Sequence, residues 1–306
     1  MNTMMTVLEK ALPVLVMLAL GVLCRKKQII SREGVGAMKT FAVSITLPAV
    51  MFSAFATAQY SLHSVIVPLV IFAVCVLMLL LGRAGCRMLG VSGRLSPFLT
   101  TGFEAGMLGY ALFALLYPQE PTAAFAMVDL GQVLFVFTLY KALLAGRGGL
   151  GGVIAEAAHA PTVWAIAAGI LVGASGLYGA MQATGISRVV DAVTSFVAAP
   201  TSAVILLTIG YDLNPAEIRL GKTLRLAALR FGIAGIALLA VLAADRLLLG
   251  GMMHTGALVL LFMLPPPYVL PVFADEPQER EDISSALSVT TLISLLLFMA
   301  MTVVFS

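Results

Sequence analysis

Two short stretches concentrate the residues whose types and spacing could bind an ion or a small solute. The first reads Thr101-Gly102-Phe103-Glu104-Ala105-Gly106-Met107-Leu108-Gly109-Tyr110 and sets one carboxylate among three glycines. The second reads Phe262-Met263-Leu264-Pro265-Pro266-Pro267-Tyr268-Val269-Leu270-Pro271 and holds three successive prolines. Both lie near the middle of long apolar runs. A carboxylate at such a depth costs about 2.5–3.5 kcal/mol on insertion scales, which marks Glu104 as functional. Three prolines remove three amide donors and clash with the preceding turn, so a helix must break there. Half-helix N-termini then present free amides and positive partial charge, which suits an anion. Irregular backbone at that depth is tolerated only where protein or water surrounds it. The available chemistry is therefore reversible binding. A proton or Na+ would sit at Glu104, and an anionic group at the half-helix ends formed by Gly106, Gly109, Pro265, Pro266, Pro267 and Tyr268. The plainer alternative is a neutral Glu104 bonded to a neighbouring helix, with Gly102 and Gly106 as a packing face.

Asp129 and Gln132 add to this set. They are one turn apart and share a helix face. Asp129 reads three ways: it takes a proton or Na+, it caps a broken neighbour, or it faces water. Ser284, Ser285, Ser288, Thr290 and Thr291 could face the same crossing, although hydroxyls in membrane helices commonly bond their own backbone. Lys39 and Arg230 lie toward helix ends and read as snorkelling side chains.

Motifs for covalent chemistry are missing. His63, His159 and His254 are scattered, and no G-x-S-x-G occurs. Cys24, Cys75 and Cys86 have the spacing of neither a metal site nor a redox pair. The run Gly146 to Gly151 matches G-x-G-x-x-G, but a dinucleotide fingerprint needs a strand before it. It reads as a flexible linker. The expectation is a protein that is no enzyme and carries no cofactor.

The elements that must position these residues follow from composition. Of 306 residues, 60% are hydrophobic and 11% charged. A soluble domain has about 45–50% and about 25%. The charges cluster, and between the clusters run apolar stretches long enough to cross a hydrocarbon core of about 30 Å. This excludes a soluble enzyme, a nucleic-acid module and a disordered chain, and predicts an all-α membrane protein. Ten apolar segments are read, near 7–24, 36–58, 62–82, 96–117, 121–141, 161–180, 189–211, 223–249, 254–274 and 283–305. All but three of the 18 Lys and Arg residues (Lys10, Arg188 and Arg246) fall on the odd-numbered connections. The excess of positive charge places those connections in the cytoplasm and both termini outside.

The halves look related. Pro13 precedes Gly21-Val22-Leu23 by eight residues, and Pro161 precedes Gly169-Ile170-Leu171 by eight. Pro48 and Pro200 sit in mid-span of the second and seventh segments and read as hinge or interface positions. A five-helix unit over 1–141 would repeat over 161–306, with 142–160 as a cytoplasmic linker. Five is odd, so the second copy enters from the opposite side. Inverted repeats with interrupted segments at matching places are the sequence pointer to a transporter site.

The chain resembles the bacterial branch of the auxin efflux carrier family over nearly its whole length. The likeness rests on Leu12-Pro13 through Gly21, Thr46-Leu47-Pro48, Phe103 through Gly109, Ala199-Pro200 and the prolines at 265–267. It implies two inverted five-helix repeats whose broken fourth and ninth helices cross at mid-membrane. It also implies a scaffold of helices 1, 2, 6 and 7 and a moving domain of helices 3–5 and 8–10. The activity it implies is secondary transport of a small organic anion, such as malonate or an auxin-like acid, across the inner membrane, with homodimers known in the plant branch. The sequence departs from the family at Glu104, where many members carry Asn, and at Ala111, where many carry Pro. An acid beside an anion site repels the solute unless a proton or cation neutralises it. Proton or Na+ coupling is one way out. Na+/H+ exchange or a non-anionic solute is the other.

Overall fold

The computed structural model describes residues 3–58, 60, 63–145, 158–213, 220–274 and 276–304. Among these it is helical throughout, without strands. In chain order the elements are α1 (Thr3–Lys26), α2 (Arg32–Ala56), α3 (His63–Met88), α4 (Ser96–Leu116), α5 (Ala123–Leu144), α6 (Pro161–Ala174), α7 (Leu177–Thr184), α8 (Ile186–Asp212), α9 (Leu220–Leu248), α10 (Thr255–Met263) and α11 (Pro277–Val304). Seven of them (α2, α3, α4, α5, α8, α9 and α11) are long and apolar enough to cross a membrane, and α6 with α7 makes an eighth if the bent pair is one span. The chain thus has the architecture of a multi-pass helical membrane protein. The G-x-G-x-x-G run, and most of the linker read at 142–160, lie outside the described residues.

The sixth apolar segment is bent where the sequence reads as one run. α6 and α7 meet at 72°. Gly176 makes the corner in the left-handed region at φ 75°, where a side chain is disfavoured.

Helix pairs between the two halves of the chain pack backbone to backbone. α1 lies on the Thr201–Asp212 half of α8, and the Leu47–Ala56 half of α2 lies on α6. Both contacts use glycine. A Cβ on Gly21 would meet Tyr211 N at 2.6 Å, one on Gly210 would meet Leu18 Cα at 2.7 Å, and one on Gly169 would meet Phe52 O at 2.8 Å. In lipid there is little hydrophobic drive between helices, so such close approach supplies the attraction.

The two mid-span prolines act differently: Pro48 stays within a continuous helical run, and Pro200 marks a short turn at 199–200 between Ile186–Ala198 and Thr201–Asp212. Pro48 enters the first turn of Leu47–Ala56, just after a π-helical turn at Ala42–Thr46. Pro200 caps Thr201–Asp212. Two further π turns, Ala105–Gly109 and Val136–Tyr140, lie in α4 and α5. Such turns re-aim side chains by inserting a residue and occur often at functional sites.

Candidate functional site

α4 and the ninth segment are both interrupted. In α4 the 3-10 turn Ser96–Thr100 gives way to non-helical backbone at 101–104 before Ala105 restarts the helix. α10 ends at Met263, and after the three prolines only a 3-10 turn, Leu270–Phe273, follows. The two breaks touch. The Glu104 N–H donates to Pro265 O at 2.9 Å. A Cβ on Gly102, which holds φ 68°, would lie 3.0 Å and 3.1 Å from the Pro267 ring. The packing face for Gly102 is thereby set aside, because Gly102 is outside any helix.

Every break strands backbone polar groups that lipid cannot satisfy at this depth. Here side chains from three helices satisfy them. Glu104 caps the restarted α4, its Oε1 accepting from the Met107 N–H at 3.2 Å. Its Oε2 accepts from the Tyr268 N–H at 2.6 Å. One carboxylate therefore holds free amides of both breaks. Arg230 of α9 holds the carbonyls. Its Nη1 donates to Leu99 O at 3.1 Å, and its Nη2 to Gly102 O at 2.9 Å and Leu264 O at 2.6 Å. The guanidinium also lies 5.5 Å from the Phe103 ring centre. Gln132 Nε2 donates to Phe103 O at 3.0 Å, and the Tyr140 hydroxyl to Phe98 O at 3.1 Å. Thr101 Oγ1 ties the first break to α3 through Cys75 O at 2.7 Å.

The snorkelling reading of Arg230 is overturned. The side chain is 0% exposed and points inward to the breaks. The signal that could have found it is the set of carbonyls that two broken helices must orphan, which calls for a donor on a neighbour. Lys39 stays at the surface, paired with the exposed Asp212.

A cavity of roughly 840 Å³ opens beside the crossing. Glu104, Gly106, Asp129, Gln132, Pro267 and Tyr268 line it. Ser284, Ser288 and Thr291 of α11 add one hydroxyl-bearing face. Thr291 donates to Leu287 O at 2.7 Å, so at the Tyr268–Thr291 contact of 2.9 Å tyrosine is the donor. Ser285 instead meets Thr223 on the opposite side, and Thr290 bonds back to Ala286 O. Arg32, Lys39, Lys141 and Asp212 bring charge to the same cavity.

Three site candidates read from the sequence and the two hinge prolines part company here. Gly109, Pro265, Pro266, Pro48 and Pro200 do not line the cavity. Gly109 gives room to packing, since a Cβ there would meet Phe125 at 2.7 Å and Leu264 at 2.8 Å. Pro265 contributes its carbonyl, and Pro266 is buried. His254 caps α10, accepting from the Ala257 N–H at 3.0 Å, and Cys24, Cys75 and Cys86 are buried free thiols.

Gly102→Ala tests the fit of the breaks. The left-handed backbone costs an alanine about 1–2 kcal/mol, and overpacking against Pro267 adds about 1–3 kcal/mol. A clear drop in thermal stability in detergent is expected. Gly106→Ala, whose Cβ would meet only Leu47 at 3.4 Å, is the near-neutral control.

Comparison with models of known protein families and with curated proteins finds no match for this chain.

Proposed function

We propose that the chain is a secondary transporter of a small carboxylate-bearing solute, of the auxin efflux carrier type. The cavity at the two breaks is its carrier site, and Glu104 is the coupling carboxyl for a proton or Na+. One observation carries this reading: two interrupted helical segments, one from each half of the chain, meet on a single carboxylate at the wall of a solute-sized cavity. Interrupted helices that meet in this way are how transporters build sites at mid-membrane. The basic side chains of Arg32, Lys39 and Lys141 would draw an anion toward the cavity.

The reading includes ten crossings in two inverted five-helix repeats, in a bacterial inner membrane with both termini outside and the chain paired as a homodimer. The pairing of α1 with α8 and of α2 with α6 supports the repeat. In each case the first segment of one half packs on the second segment of the other, as a two-fold relation between halves produces.

The test is uptake into proteoliposomes, preceded by a thermal screen of mono- and dicarboxylates at two pH values, with and without Na+. A ligand at 100 times its Kd stabilises by about 2.7 kcal/mol. For the carboxylate so found, Glu104→Gln is expected to cut uptake at least tenfold and to flatten its dependence on pH or Na+. Unchanged uptake with an unchanged profile removes Glu104 from the cycle.

A second reading, a non-anionic solute or Na+/H+ exchange, is favoured by one observation. Glu104 already accepts from the two amides that an incoming carboxylate would use. On that reading no carboxylate stabilises the protein or shows counterflow, whereas Na+ or pH alone does.

A further inference from the structure

Gln132 has an oxygen without a hydrogen-bond partner among the described residues. Its side chain is 5% exposed. The amide nitrogen faces two acceptors, Phe103 O at 3.0 Å and Asp129 Oδ1 at 3.2 Å. The Phe103 carbonyl cannot donate, so turning the amide over would set oxygen against oxygen there. Oε1 is the other end of the same amide, and it is buried with no hydrogen-bond partner among the described residues. The Gln132 side chain lines the cavity.

Asp129, one turn away, is 1% exposed. It accepts from the Tyr110 hydroxyl at 3.1 Å and from Gln132 Nε2 at 3.2 Å, both neutral donors. No Lys, Arg or His makes an ion pair with it among the described residues. Buried charges are otherwise paired or bind a cation. Two neighbouring groups on one cavity wall thus have the same deficit: a carboxylate lacking a counter-charge and a carbonyl oxygen lacking a donor. Glu104 differs in its donors: its two oxygens accept from the backbone amides of the two breaks, which it has to cap.

We propose that Asp129 and Gln132 bind a small monovalent cation at the cavity wall, through the Asp129 carboxylate and Gln132 Oε1. Oxygen donors of this kind suit hard cations. One carboxylate matches a single charge, and no group of three His, Cys, Asp or Glu residues that could hold a metal occurs among the described residues. Two sources share this chemistry: free Na+, and an ammonium group carried on the solute. As a binding site the proposal is independent of transport. As a second cation site of the carrier, beside Glu104, it rests on the function proposed above.

The test uses the purified full chain in detergent. Melting temperature is followed against NaCl, KCl and methylammonium chloride, with choline chloride holding ionic strength constant, and 22Na+ binding is measured directly. A saturable rise with Na+ assigns the site to the free ion, and a rise with methylammonium alone assigns it to a cationic solute group. Asp129→Asn and Gln132→Ala are each expected to weaken the response roughly tenfold or more, the scale on which loss of supporting groups lowers metal affinity. Asp191→Asn, at a carboxylate that accepts from the Tyr178 hydroxyl away from the cavity, should leave it unchanged. If the wild-type protein answers to none of the three cations, the site holds only water and the proposal fails, whatever the variants do. An undiminished response in both variants overturns it as well. The outcomes separate from those of the transport reading. Carboxylate uptake without cation binding leaves the carrier and removes this site. Cation binding without uptake does the reverse.

Discussion

Arg230→Met should melt far below the wild-type protein. The guanidinium is the donor for Leu99 O, Gly102 O and Leu264 O, and methionine supplies none. At about 1–2 kcal/mol per stranded buried carbonyl, the loss comes to about 3–6 kcal/mol. The two breaks share this one side chain, so both loosen together. Arg230→Lys keeps the charge but replaces a planar fork by a shorter-reaching point donor, so an intermediate loss is expected. Thermal denaturation of the three proteins in detergent orders them: Arg, then Lys, then Met. If Met equals Arg, the carbonyls are held by something else and the clamp described above is wrong.

Glu104→Ala is expected to have the next largest effect on stability. It removes the acceptor for the Met107 and Tyr268 amides at once. A lost N-cap costs about 1 kcal/mol, and a buried amide left without an acceptor about 1–3 kcal/mol. Glu104→Gln retains one oxygen. That oxygen should keep the shorter bond, to Tyr268, and leave Met107 unpaired. The glutamine variant should therefore melt between wild type and alanine. The same assay that orders the Arg230 variants orders these. A glutamine variant less stable than the alanine one would show that the carboxyl site does not work as a cap.

The sequence made the breaks legible because proline and glycine act locally. Three prolines forbid a helix wherever they fall, and Gly102 with Glu104 supplied both the loose backbone and the acid. The face shared by Asp129 and Gln132 also followed from spacing alone. In α11 spacing was less decisive. The five hydroxyls at 284–291 divide, with positions 284, 288 and 291 on the cavity and 285 and 290 turned elsewhere, because a helix face is fixed only by what packs against it. Arg230 was misread for a different reason. A cation near a helix end ordinarily reaches for water, and nothing in its own helix says that it turns inward. Its partners are backbone atoms more than 30 positions away in one break and more than 120 in the other. The bend at Gly176 was hidden because the apolar run continues through it.

The crossing brings its own counter-charges. Glu104 stands on free amides of both breaks, and Arg230 on their free carbonyls. Neither depends on a passenger. In a carrier whose broken helices borrow charge from the cargo, departure of the cargo leaves the middle of the membrane electrostatically bare, and the empty form cannot cross back. Such a carrier is confined to swapping one solute molecule for another. Here the crossing is held together by its own side chains. On the transporter reading, the return stroke needs no passenger, and the cycle can deliver net flux down or against a gradient instead of one-for-one exchange.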